Sequence, residues 1–367
     1  MGTVFLILST DNIGGAEKRF FGLWTAIAQL ENSIPCKLVL TPKLYQALEG
    51  HENSRIFLEQ FSENAIQYDL SGGFKNFRAA IEKFAEQHTA SGDILHFIGD
   101  HPLLFSLHRK QVFSITQSSL KNLNLQGRAG QFGGVWLSNI IDVLDPTIYQ
   151  KLRKSFPFKK KSIFRTSNSF CDVDLFSPLP FEQKRDWLVF LGRFESMKQS
   201  EKLLGMVPAM YHEIKDKVKK DLHFYFFGYG SLEAGMKQKL QTEEFSKLPI
   251  TVGYHDKPHE VLAQSKIFFS VQLHNNYPSK SLIEAMSAGN LPLVTDTGQT
   301  RWLAKPEFSY YVPEHFTEAD MLKVLSTLYN ETDEVLASRS AMARKFVMDE
   351  HTLEKMRDYY LDLYSRI

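Results

Sequence analysis

The chain alternates between two patterns of apolar and polar residues. Short apolar runs of strand length recur along its whole length. They lie at residues 3–9, 37–41, 94–98, 112–116, 162–166, 187–191, 222–227, 249–253, 267–273 and 291–295. Between them lie segments with apolar residues at helical spacing, among them 16–30, 74–87, 146–154, 258–264 and 279–288. Strands that alternate with helices predict an α/β fold with doubly wound parallel sheets.

Composition narrows the class of protein. A chain of 367 residues, 43% hydrophobic and 23% charged, is predicted to be globular with two domains. The net charge of +1 argues against binding to nucleic acid. Cys36 and Cys171 form neither a disulfide framework nor a metal-binding pattern, and no segment has the length and apolarity of a membrane span. The protein is therefore predicted to be cytoplasmic.

The stretch from residue 270 to 298 carries the most informative chemistry and reads as strand, loop, helix and strand. Ser279, Lys280 and Ser281 lie in the first turn of the predicted helix. Backbone N–H groups and the positive end of the helix dipole favour an anion there. Two hydroxyl groups and an ammonium group strengthen that preference, so the stretch predicts an anion-binding site.

Lys280 and Glu284 stand four residues apart and allow a second interpretation, a solvated ion pair on the helix surface. Lys before Glu is the weaker order for such a pair, and it places positive charge at the positive end of the helix. Both interpretations remain open from the residues alone.

At this point the sequence resembles the retaining, family-4-like glycosyltransferases of the GT-B fold. Their donor-site signature is an acidic residue, seven others and then Glu-Ala-Met, followed by a small residue with Gly, an apolar strand and a Gly-rich turn. Matching positions here are Glu284-Ala285-Met286, Ala288-Gly289, the strand 292–295 and Gly298. Asn276 stands where the family has its first acid. The resemblance implies two Rossmann-like domains facing a cleft.

The resemblance also implies roles for these residues. Glu284 would hydrogen-bond the nucleotide ribose, and the helix start, from Ser279 to Leu282, would hold the diphosphate of a nucleotide-sugar donor. Asn276 would contact the donor sugar, but it brings no charge to that contact.

In the second half, the loop after the strand 187–191 contains Arg193 and Lys198, which resemble the family's diphosphate clamp. A guanidinium and an ammonium would stabilise the charge that accumulates on a leaving diphosphate. Gly228 belongs to a turn similar to the family's Gly-x-Gly-x-Leu, and Tyr254 follows the strand whose end holds the nucleoside base in the family.

In the first half, Gly14 and Gly15 separate a strand from a helix and resemble the family's N-terminal glycine loop, which implies donor binding. Arg19 and His101 are predicted on the acceptor side. His96 and Asp100 lie near the end of the strand 94–98, where α/β sheets bind ligands. These residues are also compatible with a structural role.

Gln117 occupies the place where many members of the family have a catalytic histidine. This second departure, together with Asn276, leaves a rival hypothesis from another class. In that hypothesis the chain is a catalytically inactive GT-B subunit that binds a sugar nucleotide or a protein partner.

The segment from Lys151 to Arg165 carries seven basic residues without an acid. Such a run is commonly solvated surface. For an enzyme with a lipid-linked acceptor it also predicts peripheral contact with anionic headgroups at the inner face of the membrane.

The resulting expectation is a metal-independent retaining glycosyltransferase without a cofactor. It would act on a sugar or lipid-linked acceptor in polysaccharide, lipopolysaccharide or glycolipid biosynthesis. The expected divisions are a Rossmann-like acceptor-side domain at 1–178, a nucleotide-sugar domain at 187–340 and a C-terminal helix at 341–367 that returns to the first domain.

Overall fold

The computed structural model describes residues 2–30, 33–70, 74–98, 109–116, 125–166, 169–218, 221–275 and 277–367. It divides into two compact units. The N-terminal unit comprises Met1–Asn168 and Leu353–Ile367, and the C-terminal unit comprises Ser169–Thr352.

The N-terminal unit is built on a seven-stranded parallel sheet. Its strands are β1 (Val4–Leu8), β2 (Cys36–Leu40), β3 (Ala65–Gln67), β4 (Ile94–Ile98), β5 (Lys110–Ile115), β6 (Ile140–Val143) and β7 (Ile163–Arg165). The spatial order is β3-β2-β1-β4-β5-β6-β7. Strands β1 and β4 are buried along their whole length, which explains their unbroken apolar sequences.

Helices connect these strands. They are α1 (Gly15–Ala28), α2 (Pro42–Glu49), α3 (Glu52–Gln60), α4 (Phe74–His88), α5 (Leu125–Leu137) and α6 (Pro146–Ser155). Two of them begin with a capping residue followed by proline. Thr41 accepts a hydrogen bond from the Leu44 N–H before α2, and Asp145 accepts from the N–H groups of Thr147 and Ile148 before α6.

The C-terminal unit is built on a six-stranded parallel sheet of order β10-β9-β8-β11-β12-β13. Its strands are β8 (Arg185–Leu191), β9 (His223–Phe227), β10 (Ile250–Gly253), β11 (Ser265–Ser270), β12 (Leu291–Asp296) and β13 (Tyr310–Pro313). The α/β class and the two parallel doubly wound sheets are as predicted.

The helices of this unit cover both faces of the sheet, and their apolar sides form two buried clusters. They are α7 (Ser200–Gly205), α8 (Val207–Ile214), α9 (Glu233–Lys239), α10 (Pro258–Gln264), α11 (Lys280–Ser287), α12 (Thr300–Leu303), α13 (Glu318–Tyr329) and α14 (Asp333–Glu350).

The segment 341–367, expected as one helix, contains a break. Helix α14 ends at Glu350, and a last helix, α15, runs over Leu353–Ser365. At the break the His351 carbonyl accepts from the Cys171 N–H at 2.8 Å, and Thr352 forms a β-bridge with Cys171. These contacts hold the end of α14 within the C-terminal unit, whereas α15 packs on α1 of the N-terminal unit. The return to the first unit therefore begins at Leu353 and not at Ala341.

Candidate functional site

The site in the C-terminal unit lies at the edge where the parallel strands end. Strands β8 and β11 are neighbours and run in the same direction, so the segments that follow them lie at one edge of the sheet. The segment after β8 contains Arg193 and the 3₁₀ helix Ser196–Lys198, and the segment after β11 leads into α11. The fold therefore brings the predicted clamp residues and the predicted anion site to the same edge.

Backbone contacts fix these two segments to each other. The Leu273 N–H donates to the Met197 carbonyl at 2.9 Å. Asn275 holds the second segment from inside, because its Oδ1 accepts from the N–H groups of Tyr277 at 3.1 Å and Gln299 at 2.9 Å. Gly298 has φ of +53°, and a Cβ there would lie 2.8 Å from the Asn275 Cα. The matched glycine is therefore required by the close approach of two turns.

Lys198 is the most perturbed cation at this edge. Burial, with the nearby Arg193 guanidinium as a second cause, lowers its pKa to about 8. Arg193 is exposed and pairs with Glu195 at 2.9 Å. In the described part of the chain, no carboxylate forms an ion pair with the Lys198 ammonium. The Glu195 carboxylate thus pairs with Arg193 and acts on Lys198 only through its charge. This edge of the sheet is therefore suited to an anion.

Gln272 is a site residue that the sequence analysis missed. Its buried side chain accepts a hydrogen bond from Lys198 Nζ through Oε1 and donates through Nε2 to the Asn275 carbonyl. Its backbone is paired with Thr295 Oγ1 in both directions, at 3.1 and 2.9 Å. These contacts orient the side-chain oxygen Oε1 of Gln272 toward the Lys198 ammonium. Glutamine carries no charge, and Gln272 lies within the predicted strand 267–273. Its position near the end of that strand was therefore the only sequence signal for a role in the site.

The first turn of α11 is capped by Ser279. Its Oγ accepts from the Leu282 N–H at 3.4 Å and lies 3.5 Å from the Ser281 Oγ. The Leu282 side chain is fully buried in the core, and its N–H is taken by the cap. The Leu282 side chain therefore packs in the core, and a contact between this residue and the donor stays a prediction.

Lys280 and Glu284 form the predicted ion pair, with 3.8 Å between Nζ and Oε1. Their side chains are only 29% and 14% exposed, so the pair is not a freely solvated one. The Lys280 ammonium also lies 5.3 Å from the centre of the Phe170 ring. The ion pair exists, and the ribose role of Glu284 stays a prediction.

The glycine turn after β9 supports the loop that carries Arg193. A Cβ on Gly228 would lie 1.8 Å from the Gly192 carbonyl oxygen, and one on Gly230 would lie 2.5 Å from the Phe194 carbonyl oxygen. The Phe194 N–H donates to the Tyr229 carbonyl at 2.8 Å. The close approach of the two loops explains why residue 228 is a glycine, apart from its predicted contact with the donor. Tyr254, after β10, is 64% exposed.

In the N-terminal unit, Gly14 is the N-cap of α1 and Gly15 begins the helix. Both are exposed, and a Cβ on Gly15 would meet nothing within 4 Å. Glu17 accepts from the Gly14 N–H and from Thr10 Oγ1, each at 2.8 Å. The turn is exposed and is held by the Glu17 carboxylate, and its contact with the donor's phosphates stays a prediction.

Arg19 and His96, two other predicted site residues of this unit, are buried in its core. The Arg19 guanidinium donates through Nη2 to Thr166 Oγ1 at 3.0 Å and to the Tyr360 hydroxyl at 2.8 Å. His96 contacts the Tyr364 hydroxyl through Nδ1 and Ser114 Oγ through Nε2, at 2.7 and 2.8 Å. Burial lowers the His96 pKa to about 3, so its ring is neutral at neutral pH.

Asp142 joins these contacts into one network. It accepts from the hydroxyls of Tyr359 and Tyr360, each at 2.6 Å, and from Ser114 Oγ at 2.8 Å. The network ties α15 to α1 and to the middle of the sheet. We therefore correct the predicted roles of Arg19 as an acceptor-side residue and of His96 as a catalytic candidate: both anchor the C-terminal helix.

Four predicted site residues, Asp100, His101, Gln117 and Asn276, lie outside the described residues. Within the described ranges, no group of three or more His, Cys, Asp or Glu side chains is arranged to hold a metal ion. A helix with the length and apolar composition of a membrane span is likewise not found among them.

Comparison with known proteins concerns the family and the fold. Residues 185–331 match the family model described as glycosyl transferases group 1. No curated protein sequence matches the chain. The structure is similar to a glycosyltransferase from Rickettsia africae, with a TM-score of 0.77 at 13% identity, covering 100% of this chain and 98% of the other.

Two further solved structures are similar over nearly their full length. HepE from Anabaena, solved in complex with UDP-glucose, gives a TM-score of 0.72 at 11% identity and covers 100% of both chains. WaaG, described as a glycosyltransferase involved in lipopolysaccharide biosynthesis, gives 0.67 at 12% identity and covers 99% of both. The chain therefore has the GT-B fold of glycosyltransferases, and its residues 185–331 match the model of the glycosyl transferases group 1 family.

Proposed function

We propose that the protein transfers a sugar from a nucleotide-diphosphate sugar to an acceptor hydroxyl with retention of the anomeric configuration. The observation that carries this proposal is the cationic edge of the C-terminal sheet. There Lys198, lowered in pKa and without a carboxylate ion pair among the described residues, lies close enough to Arg193 to be perturbed by it. An anion of high charge density is the ligand that such an arrangement favours.

The chemistry follows from that arrangement. As the bond between sugar and diphosphate breaks, negative charge accumulates on the leaving phosphate oxygens. Arg193 and Lys198 would stabilise this charge, together with the first turn of α11 at Ser279 to Ser281. Because these cations and the helix dipole are fixed, we propose that the reaction needs no metal ion. Retention would follow from front-face attack, with the leaving phosphate accepting the proton of the acceptor hydroxyl.

The remaining donor contacts are proposed from the matched motif. Glu284 would accept hydrogen bonds from the ribose hydroxyls, Asn276 would contact the sugar, and Tyr254 would lie near the base. The exposed turn Gly14-Gly15 is proposed for the donor's phosphates. UDP-glucose is the first donor to test, because the similar HepE structure contains it.

The acceptor class and the location are proposed more broadly. WaaG is described as acting in lipopolysaccharide biosynthesis, and its similarity in fold supports a role in cell-envelope polysaccharide or glycolipid biosynthesis. We place the protein in the cytoplasm, with peripheral contact at the inner face of the membrane through the basic segment from Lys151 to Arg165.

The clamp is tested by Arg193→Ala and Lys198→Ala in a transfer assay. The donor is first selected by a thermal-shift screen of UDP-, GDP- and other nucleotide sugars, where a ligand at a hundred times its dissociation constant stabilises by about 2.7 kcal/mol. Each substitution is expected to lower turnover by about a hundredfold or more. Arg185→Ala, at the opposite end of β8, is the matched control, since Arg185 is exposed, forms an ion pair with Asp221 and lies over the Trp187 ring, away from the proposed clamp. Wild-type turnover in both clamp variants would refute the proposed mechanism.

The rival function is a catalytically inactive subunit that binds a sugar nucleotide or a protein partner. This hypothesis rests on Asn276 and Gln117, the two positions at which the sequence departs from the family's motif. One measurement separates the two functions: only the enzyme releases nucleoside diphosphate when an acceptor is added to the nucleotide sugar.

A further inference from the structure

Glu314 lies directly after β13, at the same edge of the C-terminal sheet as the proposed donor site. Its carboxylate accepts a hydrogen bond from the His274 N–H at 2.6 Å, and the Nδ1 atom of His274 lies 3.3 Å from the same oxygen. The backbone carbonyl of Glu314 accepts from Gln199 Nε2 at 3.2 Å. One residue therefore contacts the segments that follow β8 and β11.

The segment after β12 also reaches this carboxylate. The hydrogen bond from the His274 N–H is the main cause that lowers the pKa of Glu314; partial burial acts in the other direction, and a hydrogen bond from the Thr297 side chain and the nearby His315 lower it further. Thr297 is buried and immediately precedes Gly298. The carboxylate is therefore charged at neutral pH and joins the ends of β11 and β12.

Both residues that Glu314 contacts most directly have an unusual backbone. Among the described residues, those other than glycine with a positive φ are Gln199, at +49°, and His274, at +65°. A left-handed backbone is uncommon for a residue with a side chain, and it persists where the surrounding contacts impose it. Glu314 supplies such a contact to each of them.

Each of these two residues adjoins a group that is proposed to bind the diphosphate. Gln199 directly follows Lys198, and its N–H donates to the Ser196 carbonyl at 3.1 Å, which closes the 3₁₀ helix that carries Lys198. His274 lies five residues before Ser279, the N-cap of α11. The backbone conformation at these two positions therefore determines where the proposed phosphate-binding groups lie.

We propose that Glu314 is a positioning residue of the donor site: its carboxylate holds His274 in the left-handed conformation and so fixes the segment that leads from β11 into α11. This inference rests on the proposed function. It assigns no contact between Glu314 and the donor, so the effect of the carboxylate reaches the ligand through His274. Without the carboxylate, His274 would relax toward negative φ, and nucleotide binding would have to order the segment first.

The test is a double-mutant cycle measured by calorimetric titration of UDP. Glu314→Ala should weaken UDP binding about tenfold, since it removes a hydrogen bond to a charged group. Glycine adopts a positive φ without strain, so in a His274→Gly background the loss from Glu314→Ala should shrink to less than about twofold. An equal loss in both backgrounds, or no loss in either, would overturn the proposal.

Two further variants complete the cycle. Glu314→Gln keeps an oxygen that can accept from the His274 N–H but removes the charge, so it should lose less affinity than Glu314→Ala and can replace it should the alanine variant fail to fold. Glu318→Ala is the matched control, because it removes an exposed carboxylate from the first turn of α13, and it should bind UDP as wild type does.

Hydrogen exchange without nucleotide separates this proposal from the proposed function. The His274 amide is bonded to Glu314, and the neighbouring Leu273 amide is bonded to the Met197 carbonyl. Both amides should exchange at least about tenfold faster in Glu314→Ala than in wild type or Glu318→Ala. Faster exchange in a protein that binds no nucleotide would sustain the positioning by Glu314 and count against the proposed function. Unchanged exchange would overturn the positioning, whatever the protein binds.

Discussion

Lys198 determines the electrostatics of the proposed donor site. Its ammonium is held by the neutral Gln272 carbonyl and lies near the Arg193 guanidinium, so burial and a like charge both disfavour its protonated form. A bound diphosphate would reverse this balance by placing negative charge beside it. Sequence reasoning identified Lys198 from the motif, but neither its lowered pKa nor its partner Gln272 was visible before folding brought two strand ends together.

This arrangement predicts how nucleotide binding depends on pH. Without a ligand, the pKa of Lys198 is about 8. We expect a bound diphosphate to raise that pKa, because its negative charge favours the protonated ammonium. Above about pH 8, binding must therefore take up a proton, and affinity for UDP should fall by up to about tenfold for each pH unit. Calorimetry in buffers of different ionisation enthalpy measures the proton uptake directly.

Gln272→Ala provides the matching variant. Without the Oε1 acceptor the ammonium loses its hydrogen bond, so the pH at which affinity begins to fall should move to a lower value. The same pH profile in wild type and Gln272→Ala would show that Gln272 does not position the ammonium.

At the scale of elements, strand positions were the most predictable feature. Every predicted apolar run overlaps a strand, because buried parallel strands require nearly continuous apolar sequence. The sequence analysis missed three strands, β3, β6 and β13. Strands β3 and β13 lie at sheet edges, and β6 contains the buried Asp142. The division between α14 and α15 was also missed, since helical periodicity continues through it and the break depends on tertiary contacts with Cys171.

The glycine turn after β9 packs against the loop that carries Arg193. Gly228→Ala should destabilise the C-terminal unit and weaken nucleotide binding, because its Cβ would collide with the Gly192 carbonyl. Gly235→Ala in α9 is the matched control: its Cβ meets nothing within 4 Å, and alanine should stabilise the helix by up to about 1 kcal/mol. Thermal unfolding and UDP titration of both variants test this pair.

Nucleotide affinity unchanged in a folded Gly228→Ala protein would contradict the support that we assign to the turn.

At the scale of the whole molecule, the chain folds as two units, and the last helix closes the first of them. A buried network of Arg19, Asp142, His96 and three tyrosines holds that helix. Its members are spread from residue 19 to residue 364, so sequence spacing carried no signal that they meet. Arg19 was predicted as a site residue from the resemblance of the glycine loop, and His96 from its place near the end of a strand, so the burial of both in this network was not visible in the sequence.

The network predicts that the free energy of unfolding of the N-terminal unit falls in acid. The pKa of His96 is about 3 in the folded unit and about 6.5 in an unfolded chain. Between these values the unfolded chain binds a proton that the folded one does not. The stability from neutral His96 is therefore complete above about pH 6.5 and is lost as the pH falls, by about 1.4 kcal/mol for each pH unit.

Urea unfolding between pH 7 and pH 5 measures this slope. His96→Asn should reduce the slope by one proton, whereas His212→Asn, at an exposed position, should leave it unchanged. An unaltered slope in the His96 variant would assign the acid sensitivity to other groups.

The central claim is that a nucleotide diphosphate binds at the edge of the C-terminal sheet with its ribose on Glu284. The most direct measurement is calorimetric binding of UDP and 2′,3′-dideoxy-UDP to wild type and to Glu284→Gln. Our account predicts that wild type prefers the ribose form by roughly 1.5–3 kcal/mol, about tenfold or more, and that Glu284→Gln loses most of this preference with folding nearly unchanged. Equal binding of both nucleotides by wild type would contradict it.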